Sequence, residues 1–247
     1  SEEGEFATKY LGPTFEKSNL SDIKILVWDH NRNILAERFF ESMKSENADK
    51  YIAGAAFHWY SGDQYSNLKK VSEAYPQKEF IFSEGCVEGG SRNGAWFTGE
   101  RYAHNIINDL NNGCTAWIDW NILLDMKGGP NHVNNFCDAP ILADEDSGKI
   151  HIQSSFYYIG HFSRFIKKGA VHIKSTMSSF MTPATADGKM GNTMENTAFI
   201  NPDGKIILVV SNRTEADMVY ILNEVKKDEK TILVCPPRSI QTLIIKK

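Results

Sequence analysis

The sequence lacks the motifs of most cofactor and metal chemistries. Its four cysteines, Cys86, Cys114, Cys137 and Cys235, have neither Cys-x-x-Cys nor metal-ligand spacing. His151, His161 and His172 are too scattered for a metal set, and no His-x-x-x-His pair falls in a helical stretch. No glycine-rich dinucleotide or phosphate loop follows the first apolar run, and Ser83-Glu84-Gly85 is not the Gly-x-Ser-x-Gly elbow of a serine hydrolase. No cofactor and no metal is expected. There is no Lys/Arg block, and the net charge of -4 argues against nucleic acid as a partner. No stretch approaches the ~20 apolar residues of a transmembrane segment. The opening Ser1–Phe6 is acidic rather than basic-then-apolar, so it is not read as a signal peptide. Apolar neighbours favour buried free thiols, although a disulfide, and with it the redox compartment, stays open.

What is present is an ordinary globular composition, with 41% hydrophobic and 23% charged residues in 247, enough for one large domain or two modest ones. Four apolar runs alternate with helical patterns: Asp22–Asp29, Tyr51–Tyr60, Glu79–Glu84 and Cys114–Asn121 against Ala36–Ser45, Ser66–Ala74, Gly99–Leu110 and Ser154–Ile166. That alternation predicts parallel βαβ units. Each run ends in residues capable of chemistry: Asp29, His58 with Tyr60, Glu84, and Asp119 with Asn121. Strand C-termini carry function in a (β/α)₈ barrel, and a doubly wound sheet also puts polar residues there. From about His172 the pattern becomes short β runs separated by turns such as Asn201-Pro202-Asp203-Gly204 and Cys235-Pro236-Pro237-Arg238, which predicts an antiparallel sandwich. A full barrel takes about 250 residues. Four strands therefore make half of one, with two open edges, so the chain is expected to be a fragment or to need a partner.

Glu84 is the leading candidate for chemistry. It closes an apolar strand and precedes a glycine-rich loop, an arrangement that suits a nucleophilic carboxylate in glycosyl transfer, although such a Glu is more often a solvated loop residue. In His58-Trp59-Tyr60 the first and third side chains share a side, so Tyr60 can hold a carboxylate ionised and His58 can support it; a core histidine and an aromatic packing pair are the alternative. Trp120 offers a platform for a sugar face or a packing residue, and Asn121 or Asn135 can donate to hydroxyls. Asn223-Glu224 reads as surface.

Several motifs occur together in order: Leu11-Gly12-Pro13-Thr14, Trp28-Asp29, Phe57-His58-Trp59-Tyr60, Ser83-Glu84-Gly85-Cys86, Trp117-Ile118-Asp119-Trp120-Asn121, Gly128-Gly129-Pro130-Asn131 with Asn135-Phe136, and Tyr158-Ile159-Gly160-His161-Phe162-Ser163. With the Asn201–Gly204 turn and Asn212-Arg213, the chain resembles glycoside hydrolase family 30, in its glucosylceramidase (acid β-glucosidase) branch. The resemblance implies a TIM barrel fused to a β-sandwich and a retaining mechanism. The four strands become barrel strands 5 to 8, with residues 1–168 the C-terminal half of the catalytic domain and 169–247 the sandwich without its N-terminal strand. Glu84 becomes the nucleophile, while Tyr60, Trp120 and Asn135 become substrate-binding. Asp29 and His58 become supporting residues, and Asn31 and Trp96 lie near the entrance. The implied substrate is a β-glucoside, glucosylceramide or a β-glucan, and the implied location secreted, periplasmic or lysosomal.

The family's acid/base motif, Asn-Glu-Pro, is absent from these residues, so the chain alone is expected to be inactive and its partner to be the missing N-terminal half. The loop Val87–Ala95 departs from the human-type pattern, which leaves the aglycone open. The competing expectation is a carbohydrate-binding or scaffold homologue that lost catalysis; Glu84, His58, Tyr60, Trp120 and Asn135 together weigh against it.

Overall fold

A computed structural model describes residues 1–177, 194–223 and 230–246; Glu224 lies outside them. Contacts group the described residues into two compact units, 1–87 with 108–122, and 88–107 with 123–247.

The first unit opens with the helical segment Glu2–Lys17, whose middle turn, Phe6–Leu11, is π-helical. Its centre is a parallel sheet of β1 (Ile25–Asn31), β2 (Ile52–His58), β3 (Glu79–Glu84) and β4 (Ala116–Trp117), hydrogen-bonded in sequence order. The helix Leu35–Met43 buries Leu35, Ala36 and Phe39, which its 3.6-residue period brings to one face. The helix Tyr65–Ala74 likewise buries Leu68 and Val71. On β3 the alternation puts Phe80 and Phe82 in the core while Ile81 and Ser83 stay partly open. Phe39 meets Phe80 edge to face at 5.2 Å, tying helix to sheet.

The fourth strand is shorter than its apolar run predicts. Only Ile81–Ala116 and Phe82–Trp117 pair as a ladder. Beyond Trp117 the chain still follows β3, through Ile118 N–H to the Phe82 carbonyl at 2.8 Å and Trp120 N–H to the Gly85 carbonyl at 3.3 Å, without strand geometry.

The second unit contains most of the helix Trp96–Asn111, the helix Ser154–Ser163, and a small sheet of β5 (Leu123–Asp125), β6 (Ile141–Asp144) and β7 (Lys149–Ile152) that the sequence patterns did not announce. Its sandwich pairs β8 (Val171–Ile173), β9 (Met194–Ile200), β10 (Ile206–Asn212) and β13 (Ser239–Ile245) in the antiparallel order β13-β10-β9-β8, and β11 (Met218–Asn223) with β12 (Lys230–Cys235). Ala198, Leu208, Val210 and Cys235 form its core, against which Met194, Tyr220, Leu222 and Leu243 pack. The Asn201–Gly204 turn closes β9 onto β10, with Gly204 at φ +81°, where a side chain would be strained. All four cysteines are buried free thiols. Among the described residues no helix is long and apolar enough to cross a membrane.

Candidate active site

Asp29, His58, Tyr60 and Glu84 gather at the C-terminal ends of β1, β2 and β3, and two irregularities in the sheet bring them together. The β1–β2 ladder runs from Trp28–Ala56 to His30–Phe57, skipping Asp29. The β2–β3 ladder runs from Phe57–Phe82 to His58–Glu84, skipping Ser83. Each bulge shifts the side-chain phase by one residue, so Glu84 rather than Ser83 sits beside His58. The two skipped residues then meet: Ser83 Oγ donates to Asp29 Oδ1 at 2.6 Å. His58 Nε2 lies 3.2 Å from the same oxygen.

The β1 bulge is held in unusual backbone. Trp28 and Asp29 have φ of +77° and +47°. Three contacts fix it: the Trp28 N–H donates to Glu3 Oε1 at 2.6 Å, its indole N–H donates to the Asn31 carbonyl at 3.0 Å, and Asp29 holds Ser83.

Glu84 receives the hydroxyl of Tyr60 on Oε1 at 3.1 Å. Burial, foremost, and then the neighbouring Cys86 and Glu84 push the Tyr60 phenol far above its ordinary value, so it stays a protonated donor. Beneath this pair lies an aromatic cluster. Phe82 stacks on Trp117 with ring centroids 4.2 Å apart, and Trp59 meets Phe82 and Trp117 edge-on at 5.7 and 6.0 Å. Gly85 is required here, because a Cβ would come within 2.6 Å of the Phe82 ring and 3.0 Å of Trp59. Deeper still, Arg32 and Asp109 form a fully buried ion pair at 2.9 Å, and Asp109 Oδ2 also accepts the Trp117 indole N–H at 3.2 Å.

The other residues singled out by sequence are less concentrated. Trp120 is 55% exposed on the segment after β4, and Asn31, half-buried, ends β1. In the second unit Trp96 is half exposed, but its indole N–H is taken by the Arg238 carbonyl at 2.7 Å and its ring meets Tyr158. Asn135, also in that unit, lines an open cleft of about 350 Å³ with Gly89, Gly90, Lys127, Asn134 and Phe136. Sequence reasoning passed over Ser83, Cys86 and Arg32. Ser83 and Cys86 flank Glu84 in a quoted motif, whereas a buried Arg leaves no signal in composition. Among the described residues no group of three or more His, Cys, Asp or Glu could hold a metal ion.

Comparison with known proteins bears on the family and the fold. The mouse lysosomal acid glucosylceramidase is 33% identical over 229 residues, which are 89% of this chain and 42% of that protein. SrfJ from Salmonella typhimurium superposes on the whole chain with a TM-score of 0.89 at 35% identity, using 52% of its own length. The structure of an endo-β-1,6-glucanase superposes on 99% of the chain with a TM-score of 0.82 at 26% identity, using 53% of its own length. The chain thus spans about half the length of the relatives it matches. Residues 2–166 match the glycosyl hydrolase family 30 TIM-barrel domain and residues 169–243 match that family's β-sandwich domain, and the chain belongs to glycoside hydrolase family 30.

Proposed function

We propose that this sequence supplies the nucleophile half of a retaining β-glycosidase, with residues 1–168 contributing barrel and 169–247 the sandwich. The observation that carries the reading is the Tyr60 hydroxyl donating to Glu84 Oε1 at 3.1 Å at the end of β3. A carboxylate that accepts such a donor is held in a fixed orientation. In the reaction, a Glu84 oxygen attacks the anomeric carbon, the bond from that carbon to the leaving oxygen breaks, and an acid elsewhere protonates the leaving group. Water then cleaves the glycosyl ester and restores the carboxylate. Asp29 and His58 support the strand ends. The family resemblance gives Trp120 the role of a sugar platform, Asn135 that of a donor, and Asn31 and Trp96 a place near the entrance. The names of the relatives, a lysosomal acid glucosylceramidase and an endo-β-1,6-glucanase, support a β-glucoside substrate, either glucosylceramide or a β-glucan, and the mouse relative's lysosomal name favours an exported or lysosomal setting.

Retaining chemistry takes two carboxyl groups ~5–5.5 Å apart. The resemblance assigns the second to the fourth barrel strand, so the active site is assembled from this sequence and a complementary half. The test is a 2-deoxy-2-fluoroglucoside inactivator applied to the full-length protein, with mass spectrometry of the labelled peptide. Label on Glu84 supports the reading; label on Glu88 or Asp119, or no label from an active enzyme, overturns it. The 247 residues alone should not turn over an aryl β-glucoside, and the complementary half added in trans should restore activity that depends on Glu84.

A further inference from the structure

The Tyr60 hydroxyl has a second neighbour. Cys86 Sγ lies 3.5 Å from it, within reach of a sulfur hydrogen bond. Only one proton is available on that hydroxyl, and it is donated to Glu84 Oε1, which leaves the phenol oxygen as an acceptor. The thiol must therefore be the donor, which gives a chain from S–H to phenol oxygen and from phenol O–H to carboxylate.

Cys86 is built into place for this. It is buried, and its backbone carbonyl accepts the Trp59 indole N–H at 3.2 Å. Trp59 lies close over Gly85, where a Cβ would come within 3.0 Å of it and collide with the Phe82 ring at 2.6 Å. Two consecutive residues after β2 thus grip residue 86, the Trp59 indole holding the Cys86 carbonyl and the Tyr60 hydroxyl meeting the Cys86 thiol.

We propose that Cys86 is a positioning residue for the nucleophile, its thiol donating to Tyr60 so that Tyr60 presents a fixed and polarised hydroxyl to Glu84. The inference rests on the assignment of Glu84 above. A donor to the phenol oxygen makes the phenol a stronger donor in turn, as hydrogen bonds in a chain polarise one another. The carboxylate is then better stabilised in its ionised form, and its orientation toward the anomeric carbon is set by a side chain that never touches substrate.

The test compares Cys86→Ala and Cys86→Ser in the full-length enzyme, reading kcat, KM and the pH profile of kcat/KM on an aryl β-glucoside. Cys86→Ala should lower kcat about 5- to 20-fold with KM within about twofold, as expected when a weak hydrogen bond acting on the chemical step is lost. Its acid limb should move to higher pH, because the carboxylate has lost part of its stabilisation. Cys86→Ser keeps an O–H donor and should recover most of the rate and return the acid limb toward wild type. A Cys86→Ala enzyme with an unchanged acid limb overturns the proposal, and so does a Cys86→Ser enzyme as impaired as Cys86→Ala, which would mark the thiol as packing alone. Fluoroglucoside labelling of wild type is run alongside: label on Glu84 with an unchanged Cys86→Ala enzyme refutes the role of Cys86 only, whereas label elsewhere refutes the assignment of Glu84 itself.

Discussion

Breaking the Arg32–Asp109 pair should cost the first unit much of its stability. Both side chains are fully buried, 2.9 Å apart, on the loop after β1 and near the end of the helix Trp96–Asn111. The Arg32 guanidinium also lies 4.5 Å over the Tyr65 ring, and Asp109 Oδ2 holds the Trp117 indole. Asp109→Leu leaves a buried cation without its counter-charge, a loss of ~3–5 kcal/mol, and strands the indole N–H for a further ~1–3 kcal/mol. Against a domain stability of ~5–15 kcal/mol, that is enough to unfold a substantial fraction of the protein. Arg32→Met combined with Asp109→Leu removes both charges with similar volume, and the double variant should regain most of the loss, leaving chiefly the orphaned indole. Urea titrations of the wild type, both single variants and the double variant measure this directly, at matched denaturant slopes. An Asp109→Leu variant within ~1 kcal/mol of wild type, or a double variant no better than the single ones, would refute the view that the pair is a mutually dependent buried unit.

Two further outcomes follow from the same geometry. Tyr60→Phe deletes a donor to a charged acceptor, so kcat/KM should fall ~10- to 100-fold, the equivalent of ~1.5–3 kcal/mol, and the acid limb should move to higher pH; a pH-rate profile unchanged from wild type would contradict it. In the second unit, burial lowers the pKa of His161, which bonds Thr242 Oγ1 at 2.8 Å, and of His172 below 6.5. Above that value both states are neutral and nothing is lost, but as pH falls below it the unfolded chain takes protons the folded one resists, so stability should decline. His161→Gln should flatten the decline between pH 7.5 and 5.5 in thermal melts, and a slope identical to wild type would count against the histidine's part in it.

Much of this was legible in the sequence because two periodicities carry it. Near-continuous apolar runs gave β1, β2 and β3, and the 3.6-residue pattern gave the helices Leu35–Met43, Tyr65–Ala74 and Trp96–Asn111 within a few residues. The Asn201–Gly204 turn was readable because proline, aspartate and glycine each demand a particular backbone. The placement of Glu84 and Tyr60 at strand ends was readable too, and their resemblance to a family sharpened it. What escaped were features without local periodicity. The strands β5, β6 and β7 have three or four residues each, too few to establish alternation. The fourth apolar run, Cys114–Asn121, is strand only at Ala116–Trp117, since Trp117 is the last residue with a ladder partner on β3. Arg32 is polar by type and fully buried by circumstance, and it is residues distant in sequence, among them Asp109, Tyr65, Phe57 and Phe82, that receive it there.

The bulges show why strand-end chemistry needs more than a strand and a polar residue. In an unbroken ladder the partner of His58 would be Ser83, and Glu84 would project to the opposite face of the sheet. One extra residue in β3 moves the carboxylate across, and one extra residue in β1 brings Asp29 to meet the serine left over. The β1 bulge is costly, because non-glycine residues at positive φ carry ~1–3 kcal/mol of strain each. Glu3, from a helix 25 residues earlier, accepts the Trp28 N–H and is itself tied to Ser42, so the strain is held from outside the sheet. Strain of this kind persists only when its surroundings over-determine it. Here those surroundings converge on Asp29, Ser83 and His58, which lie at the strand ends beside Glu84. The irregular backbone thus sets Glu84 rather than Ser83 beside His58, and contacts from outside the sheet offset its cost.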